Sequence, residues 1–146
     1  MRIYLDTCSL QRPLDSKTQI RIVLEGEAVL GILSLCEQGA AELISSDALL
    51  FEARRNPNPA RKEYALVALS RAKQFIALNA KIEQRAVDLN NSGFGPLDAL
   101  HLASAEESPA DFFCTCDDRL LKRAKSFPGL KIRVMSPIEL AEEIEK

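Results

Sequence analysis

Short apolar runs of strand type alternate with longer amphipathic segments of helix type along the whole 146-residue chain. Each short run predicts a strand, because its β-branched, aromatic and aliphatic residues stand between turn-forming residues. Regular alternation of this kind is typical of units in which a helix carries the chain from one strand to the next parallel strand. The predicted strands are Arg2–Asp6, Glu42–Ser45, Phe75–Leu78, Asp111–Cys116 and Lys131–Val134.

The segments between these strands carry helix signals at their ends. Pro96 suits the first position of a helix, and Asp47 is a candidate N-cap. Ser136 and Glu139 stand at capping-box distance. The predicted helices are Gln19–Glu37, Asp47–Arg55, Ala60–Lys73, Lys81–Asn90, Pro96–Glu107, Asp117–Ser126 and a last helix opened by Ser136-Pro137. Together the pattern predicts an α/β fold of three layers, α/β/α, with a central, mostly parallel sheet and a single domain over residues 1–146.

Two acidic residues directly follow predicted strands. Asp6 ends the run Ile3-Tyr4-Leu5, and Asp117 follows Phe112–Cys116. In open parallel sheets, ligands bind beyond the carboxyl ends of the strands, so both carboxylates are candidates for a binding site. Each also has a purely structural explanation, since Asp6 suits the turn after its strand and Asp117 suits the N-cap of the next helix.

Two further acids lie among apolar residues. Asp98 falls in the first turn of the helix opened by Gly95-Pro96, and Glu52 follows Leu49-Leu50-Phe51. The helix dipole alone would favour Asp98, and Glu52 could be an exposed position on an amphipathic helix. A charge buried among apolar neighbours is costly unless it has a partner. If the four acids converge, Mg²⁺ or Mn²⁺ would relieve their repulsion, which points to metal-assisted chemistry on a phosphate ester.

The charge balance and hydropathy limit the classes of partner. The formal net charge is -2, so contact with a nucleic acid must use local basic patches, of which Arg119–Lys125 is one. No apolar run approaches the roughly 18 residues that span a bilayer. The N-terminal residues Met1–Asp6 enter a strand at once and lack the layout of a signal peptide. We therefore expect a cytoplasmic location and no membrane partner.

The four cysteines and the single histidine do not indicate a zinc site. Cys114 and Cys116 are two residues apart, whereas zinc sites space their cysteines more widely and add further ligands. We expect reduced cysteines that pack as small apolar side chains. His101 lies three residues after Asp98 and so on nearly the same helix face. It could touch a substrate or orient Asp98, although a packing or capping role is the simpler interpretation.

The order of these pieces resembles the PIN-domain family of nucleases, particularly its bacterial VapC-type and orphan members. The Asp98 helix and the Thr-x-Asp pattern after the late strand are the specific parts of the resemblance. The resembling segments, which span essentially the whole chain, are Ile3–Thr7, Glu52, Leu97–Ala105 and Thr115–Leu121.

Two other families that begin with a strand ending in Asp fit less well. A haloacid-dehalogenase-type phosphatase needs a second Asp two residues later, where this chain has Cys8. A response-regulator receiver needs an acidic pair near the first strand end, and Asp6 has no acidic neighbour. Neither accounts for Glu52 and Asp98 together.

The PIN resemblance implies an endoribonuclease that depends on Mg²⁺ or Mn²⁺ and hydrolyses RNA phosphodiester bonds. The metal-binding acids it implies are Asp6, Glu52, Asp98 and Asp117, and the polar residues beside them are Thr7, Thr115 and Asp118. Cys8 stands where many relatives carry Asn or Ser. Asp118, directly after Asp117, leaves open which of the two faces the metal, and the spacing from Thr115 favours Asp117.

The resemblance also implies protein partners. We expect a homodimer and, if the chain is the toxin of a toxin–antitoxin pair, a small antitoxin that holds it silent. Helices Gln19–Glu37 and Ala60–Lys73 carry apolar residues beyond one stripe, as expected of a helix that is deeply buried or has another surface to cover. The alternative is a catalytically silent PIN module that binds RNA or a protein partner.

Overall fold

The computed structural model describes residues 1–146 and contains a five-stranded sheet in which every strand pair is parallel. The strands lie in the order β3-β2-β1-β4-β5. Ile3 in the central strand is paired with Leu43 on one side and Phe112 on the other. The strands are β1 Arg2–Leu5, β2 Glu42–Ser46, β3 Gln74–Ile76, β4 Phe112–Cys114 and β5 Arg133–Met135.

Eight α-helices connect and cover the strands, and a 3₁₀ turn at Arg12–Leu14 follows the first of them. The helices are α1 Thr7–Gln11, α2 Ile20–Glu37, α3 Asp47–Arg54, α4 Pro59–Ser70, α5 Ala80–Asn91, α6 Pro96–Glu107, α7 Asp118–Lys125 and α8 Pro137–Glu145. The predicted three-layer α/β/α architecture is confirmed.

The strand order explains the layers. From β1 the chain moves one way along the sheet to β2 and β3, and then crosses back to β4 and β5 on the far side of β1. Right-handed crossovers that run in opposite directions place their helices on opposite faces. The point where the order reverses lies between β1 and β4. In open parallel sheets, ligands bind at such a point, beyond the carboxyl ends of the strands.

Large side chains of the two central strands form the middle of the core. Ile3, Tyr4, Leu5 and Phe113 are all fully buried. The rings of Tyr4 and Phe113 stack with centroids 5.2 Å apart. Burial of apolar area at about 25 cal/mol per Å² is the main stabilising contribution of such residues. These buried strands therefore provide a rigid support for the loops that follow β1 and β4.

The sequence missed one helix and misplaced one cap. Helix α1 was not predicted, and it forms because the Asp6 side chain accepts a hydrogen bond from the Ser9 amide and so caps it. The predicted N-cap Asp47 is wrong, since Ser46 caps α3 through the Leu49 amide and Asp47 is the first helical residue.

Element ends differ from the predictions by a few residues. Helix α4 ends at Ser70 rather than Lys73, because the Lys73 amide bonds the Leu43 carbonyl and begins the pairing of β3. The β3, β4 and β5 strands are shorter or shifted relative to the predicted runs. The capping box at Ser136 is confirmed. No helix is long and apolar enough to cross a membrane.

Candidate active site at the carboxyl ends of the central strands

Asp6 lies directly after the central strand and is 6% exposed. Its Oδ1 accepts hydrogen bonds from the Ser9 amide and the Cys8 thiol, both at 3.1 Å. Burial raises the pKa of Asp6, and the nearby Thr115 hydroxyl, the thiol and the amide oppose that rise. The thiol of Cys8 thus supplies a hydrogen bond to the acid at the position where the sequence departs from many relatives.

Asp117 follows β4 and caps helix α7. Its Oδ1 accepts from the amides of Arg119 at 2.9 Å and Leu120 at 3.1 Å, as the capping interpretation predicts. The Thr115 hydroxyl accepts from the Asp117 amide at 3.0 Å and fixes the loop. Asp117 and Asp98 nonetheless line the same cleft, so capping does not remove Asp117 from the candidate site.

The neighbouring acid, Asp118, has a different environment. Its Oδ2 is 2.8 Å from Nη1 of Arg21 on helix α2, and its side chain is largely exposed. It does not line the cleft that Asp117 and Asp98 share. Asp118 therefore ties α7 to α2, and Asp117 is the better placed of the two acids.

Asp98 occupies the first turn of helix α6 and is half-buried. Burial raises the pKa of Asp98, and the negative charges of the other three candidate acids, Asp117, Asp6 and Glu52, add to the rise. Three acids from three other segments therefore influence the carboxylate of Asp98. The three acids are therefore near enough to Asp98 for their charges to act on it.

Glu52 lies on helix α3 and is bonded to the histidine. Its Oε1 is 3.0 Å from Nε2 of His101. Burial is the largest single influence on the pKa of Glu52 and would raise it, but His101 and the Thr7 hydroxyl together outweigh burial and hold the pKa below its usual value. Glu52 is thereby kept as an anion and held in one orientation.

A chain of buried hydroxyl groups supports His101, which is 2% exposed. Nδ1 of His101 lies 2.7 Å from the Tyr4 hydroxyl, which lies 2.8 Å from Oγ of Ser46. Because the Glu52 carboxylate can only accept, Nε2 donates to it. Burial raises the pKa of Tyr4 far above its usual value, so Tyr4 keeps the proton that it donates to Nδ1. With Ser46 donating to Tyr4 and Tyr4 donating to Nδ1, every polar atom of the chain has a partner.

Sequence reasoning missed this chain. It gave His101 a packing or capping role and assigned nothing to Tyr4 or Ser46. The spacing of His101 from Asp98 placed the ring near the site, but nothing in a single sequence pairs a strand residue with a helix residue 97 positions away. The buried, bonded His101 is the principal addition that the structure makes.

The donor atoms suit a hard divalent cation in chemistry. The candidate ligands are carboxylate oxygens, which Mg²⁺ and Mn²⁺ prefer. The buried hydroxyl of Thr7 has no hydrogen-bond partner, and Thr7 lines a depression together with Glu52. No three acidic, histidine or cysteine side chains lie close enough together to hold one ion in their present conformations. The shared metal site therefore stays a prediction.

The cysteines are all free, as predicted. Cys114 and Cys116 are buried, and the Ser9 hydroxyl lies 3.7 Å from the sulfur of each. Burial raises the pKa of Cys114 well above its usual value. Both thiols therefore lie against α1 through Ser9.

Comparison with known proteins agrees with the fold. A family model described as the PIN domain matches residues 3–126. No curated protein sequence matches the chain.

Several solved structures share the architecture at low sequence identity. VapBC2 from Rickettsia felis, bound to a DNA fragment from its promoter, aligns with a TM-score of 0.61 and 16% identity over 93% of this chain and 98% of that chain. Mycobacterium tuberculosis VapC20, described as a sarcin–ricin loop cleaving toxin, gives 0.56 and 19% over 86% and 95%. VapBC-1 from nontypeable Haemophilus influenzae gives 0.55 and 16% over 94% and 99%. At these identities the likeness shows a common fold.

Proposed function

The chain belongs to the PIN domain family, whose model matches residues 3–126, and we propose that it is a metal-dependent endoribonuclease that hydrolyses RNA. The observation that supports the proposal is that Asp98 and Asp117 line one cleft and that Asp98 also feels the charges of Asp6 and Glu52. The pKa of Asp98 responds to the other three. Repulsion between neighbouring carboxylates destabilises the folded state unless a bound cation or substrate offsets it.

In this proposal the four carboxylates hold Mg²⁺ or Mn²⁺. The metal, when bound, would polarise the scissile phosphate and lower the pKa of a coordinated water. The residues around the acids set their orientation. Cys8 and the Ser9 amide hold Asp6, and His101 holds Glu52. Thr115 holds the loop of Asp117.

The two adjacent acids of α7 offer a matched test. Asp117→Asn should abolish cleavage of an unstructured RNA in Mg²⁺ or Mn²⁺, because Asp117 lines the cleft with Asp98. Asp118→Asn should retain most of the activity, since Asp118 pairs with Arg21 outside the cleft. Both variants lose one negative charge in neighbouring positions. Equal activity in the two variants, or cleavage by wild-type protein in EDTA, would refute the assignment.

We further propose that the chain is the toxin of a toxin–antitoxin pair. Two of the structural relatives, from Rickettsia felis and Haemophilus influenzae, are described as VapBC complexes. An apolar groove of about 310 Å³ lies between α2 and α4 on this chain and suits an amphipathic helix. The residues that line it and are apolar include Leu30, Leu33, Leu43, Tyr64 and Val67.

Co-expression with any small open reading frame beside the gene tests the partner. The expected result is a growth defect from the chain alone and its relief by the second product.

Light scattering at tens of micromolar tests the proposed homodimer. A silent module would instead bind RNA without cleaving it at any divalent metal concentration, with Asp117→Asn and wild-type protein behaving alike.

A further inference from the structure

Three basic residues of helix α7 line one cleft together with two of the candidate acids. The cleft has a volume of about 610 Å³, and its lining includes Asp98, Asp117 and the cations Arg119, Lys122 and Arg123. Only two of its ten lining residues are hydrophobic. Such a lining offers charge and hydrogen bonds rather than an apolar surface.

These three cations make no ion pair, although both signs of charge share the cleft. The basic residues nearby on other faces are paired: Lys125 with Glu139 and Arg133 with Glu143. No carboxylate oxygen lies within 4.0 Å of a charged nitrogen of Arg119, Lys122 or Arg123. Basic residues in a last turn are favoured by the helix dipole, which explains Lys122 and Arg123 only in part.

The position of Arg123 goes beyond that explanation. A side chain at Gly93 would place its Cβ 2.5 Å from Nη1 of Arg123 and 3.3 Å from Cζ. The guanidinium therefore extends from α7 to the loop Gly93–Gly95 that leads into α6 and Asp98. Gly93 also has a φ of 109°, a backbone conformation that would be strained for any other residue. The guanidinium lies against Gly93, which lines the same cleft.

We propose that Arg119, Lys122 and Arg123 form a phosphate-binding ridge, which holds the backbone of a single RNA strand beside the carboxylates. The proposal rests on RNA being the substrate. A planar guanidinium binds two phosphate oxygens at once, and the formal net charge of -2 gives the chain no general attraction for a polyanion. A cleft of about 610 Å³ is of the size that encloses a small organic ligand, so it accepts a short stretch of one strand rather than a duplex.

The lining of the cleft also predicts whether the RNA strand is bound with sequence selectivity. The two hydrophobic residues of the lining, Phe94 and Leu120, are buried, and the Phe94 ring packs edge-on against Phe127. No exposed aromatic face is offered in the cleft for a base to stack on. The ridge therefore contacts phosphates and positions the strand without selecting its sequence.

A matched pair of substitutions on α7 tests the ridge. Arg123→Gln and Lys125→Gln each remove one positive charge, but Lys125 lies outside the cleft and pairs with Glu139. Binding of a labelled, unstructured RNA is measured by fluorescence anisotropy in EDTA, where no metal-dependent cleavage occurs, from about 50 to 200 mM salt. Removing one phosphate contact on a single strand lowers the slope of log K against log salt by about 0.7.

The expected result is a slope lowered by about 0.7 for Arg123→Gln, by about 2 for the triple Gln variant at 119, 122 and 123, and unchanged for Lys125→Gln. An unchanged melting temperature confirms that the variants are folded. Equal effects of Arg123→Gln and Lys125→Gln would overturn the proposal, as would failure of the wild-type protein to bind any strand at low salt. If the protein cleaves RNA but the substitutions do not change the salt dependence, the proposed nuclease activity is supported and the ridge is refuted. If the substitutions change the salt dependence but no cleavage is found, the ridge is supported and the nuclease activity is refuted.

Discussion

Removal of the Tyr4 hydroxyl tests how strongly the buried hydrogen bonds that link Ser46, Tyr4, His101 and Glu52 are coupled. Tyr4→Phe leaves Nδ1 of His101 without its partner at a site that is 2% exposed. A buried polar atom left unpaired costs about 1–3 kcal/mol. Ser46 loses less, because its Oγ still accepts from the Leu49 amide.

His101→Leu should cost a similar amount for a different reason. The Tyr4 hydroxyl keeps Ser46 as a partner but loses the imidazole, and Glu52 loses its donor. Glu52 is one-third exposed, so water replaces that donor at little cost. We expect this variant also to lose about 1–3 kcal/mol of stability, mostly because the buried Tyr4 hydroxyl loses the imidazole as a partner.

The double variant distinguishes a coupled chain from two independent losses. With both polar partners gone, no unpaired atom remains between positions 4 and 101, and apolar replacement of a complete pair is nearly neutral. The double variant should therefore be more stable than the sum of the single effects by about 1 kcal/mol or more. For a domain of this size that corresponds to a difference of about 2–4 °C in melting temperature.

The assay is thermal and urea unfolding of the four proteins in EDTA, so that metal binding does not contribute. Strictly additive losses would show that the hydroxyl and the imidazole act separately, and would refute the reasoning. The variant His101→Gln separates packing from orientation, because its amide retains a donor toward Glu52. It should bind Mn²⁺ more tightly than His101→Leu, even where both variants lose stability.

Four further outcomes follow from the site. Asp98→Asn should abolish cleavage yet melt in EDTA at or above the wild-type temperature, because the charged form of Asp98 is disfavoured by burial and by its fellow acids; a clearly lower value would favour a structural role. Mn²⁺ should raise the melting temperature of wild-type protein but not of Asp98→Asn, and equal shifts would place the ion elsewhere. The folded-state pKa of Glu52 is lowered, so its contribution to stability is present above the usual value of 4.5 and is lost as the pH falls through the folded value; the stability gap to Glu52→Gln, measured by urea unfolding, should shrink over that range. Replacement of Cys114 and Cys116 by Ala or Val should preserve activity at a packing cost of about 1 kcal/mol, unless stoichiometric zinc is found and lost in the variant.

The sequence was sufficient to predict the architecture, and it also singled out the candidate acids, because both leave local signals. Strand and helix periods gave the alternation, and strand ends located Asp6 and Asp117. Apolar neighbours singled out Asp98 and Glu52. Each of these inferences uses residues that are close together in the chain, where physical rules about capping, burial and periodicity apply directly.

The remainder depends on contacts between distant residues. His101 meets Tyr4 across 97 positions and Glu52 across 49, so its role became visible only when α6, β1 and α3 were packed together. The same holds for Arg123, whose reach to Gly93 depends on the close approach of α7 and the loop before α6. Helix α1 was missed because its cap, Asp6, was interpreted as a residue of a turn or of the candidate site.

Asp6 and Asp117 divide their two carboxylate oxygens between separate tasks. In each residue Oδ1 accepts from backbone amides at a helix start, which leaves Oδ2 for other use. Asparagine retains a carbonyl oxygen that can cap in the same way but brings no negative charge. A single-base change from an Asp codon to an Asn codon would therefore remove a negative charge from the candidate site while leaving both helices capped. The fold would be retained even where the proposed chemistry is lost.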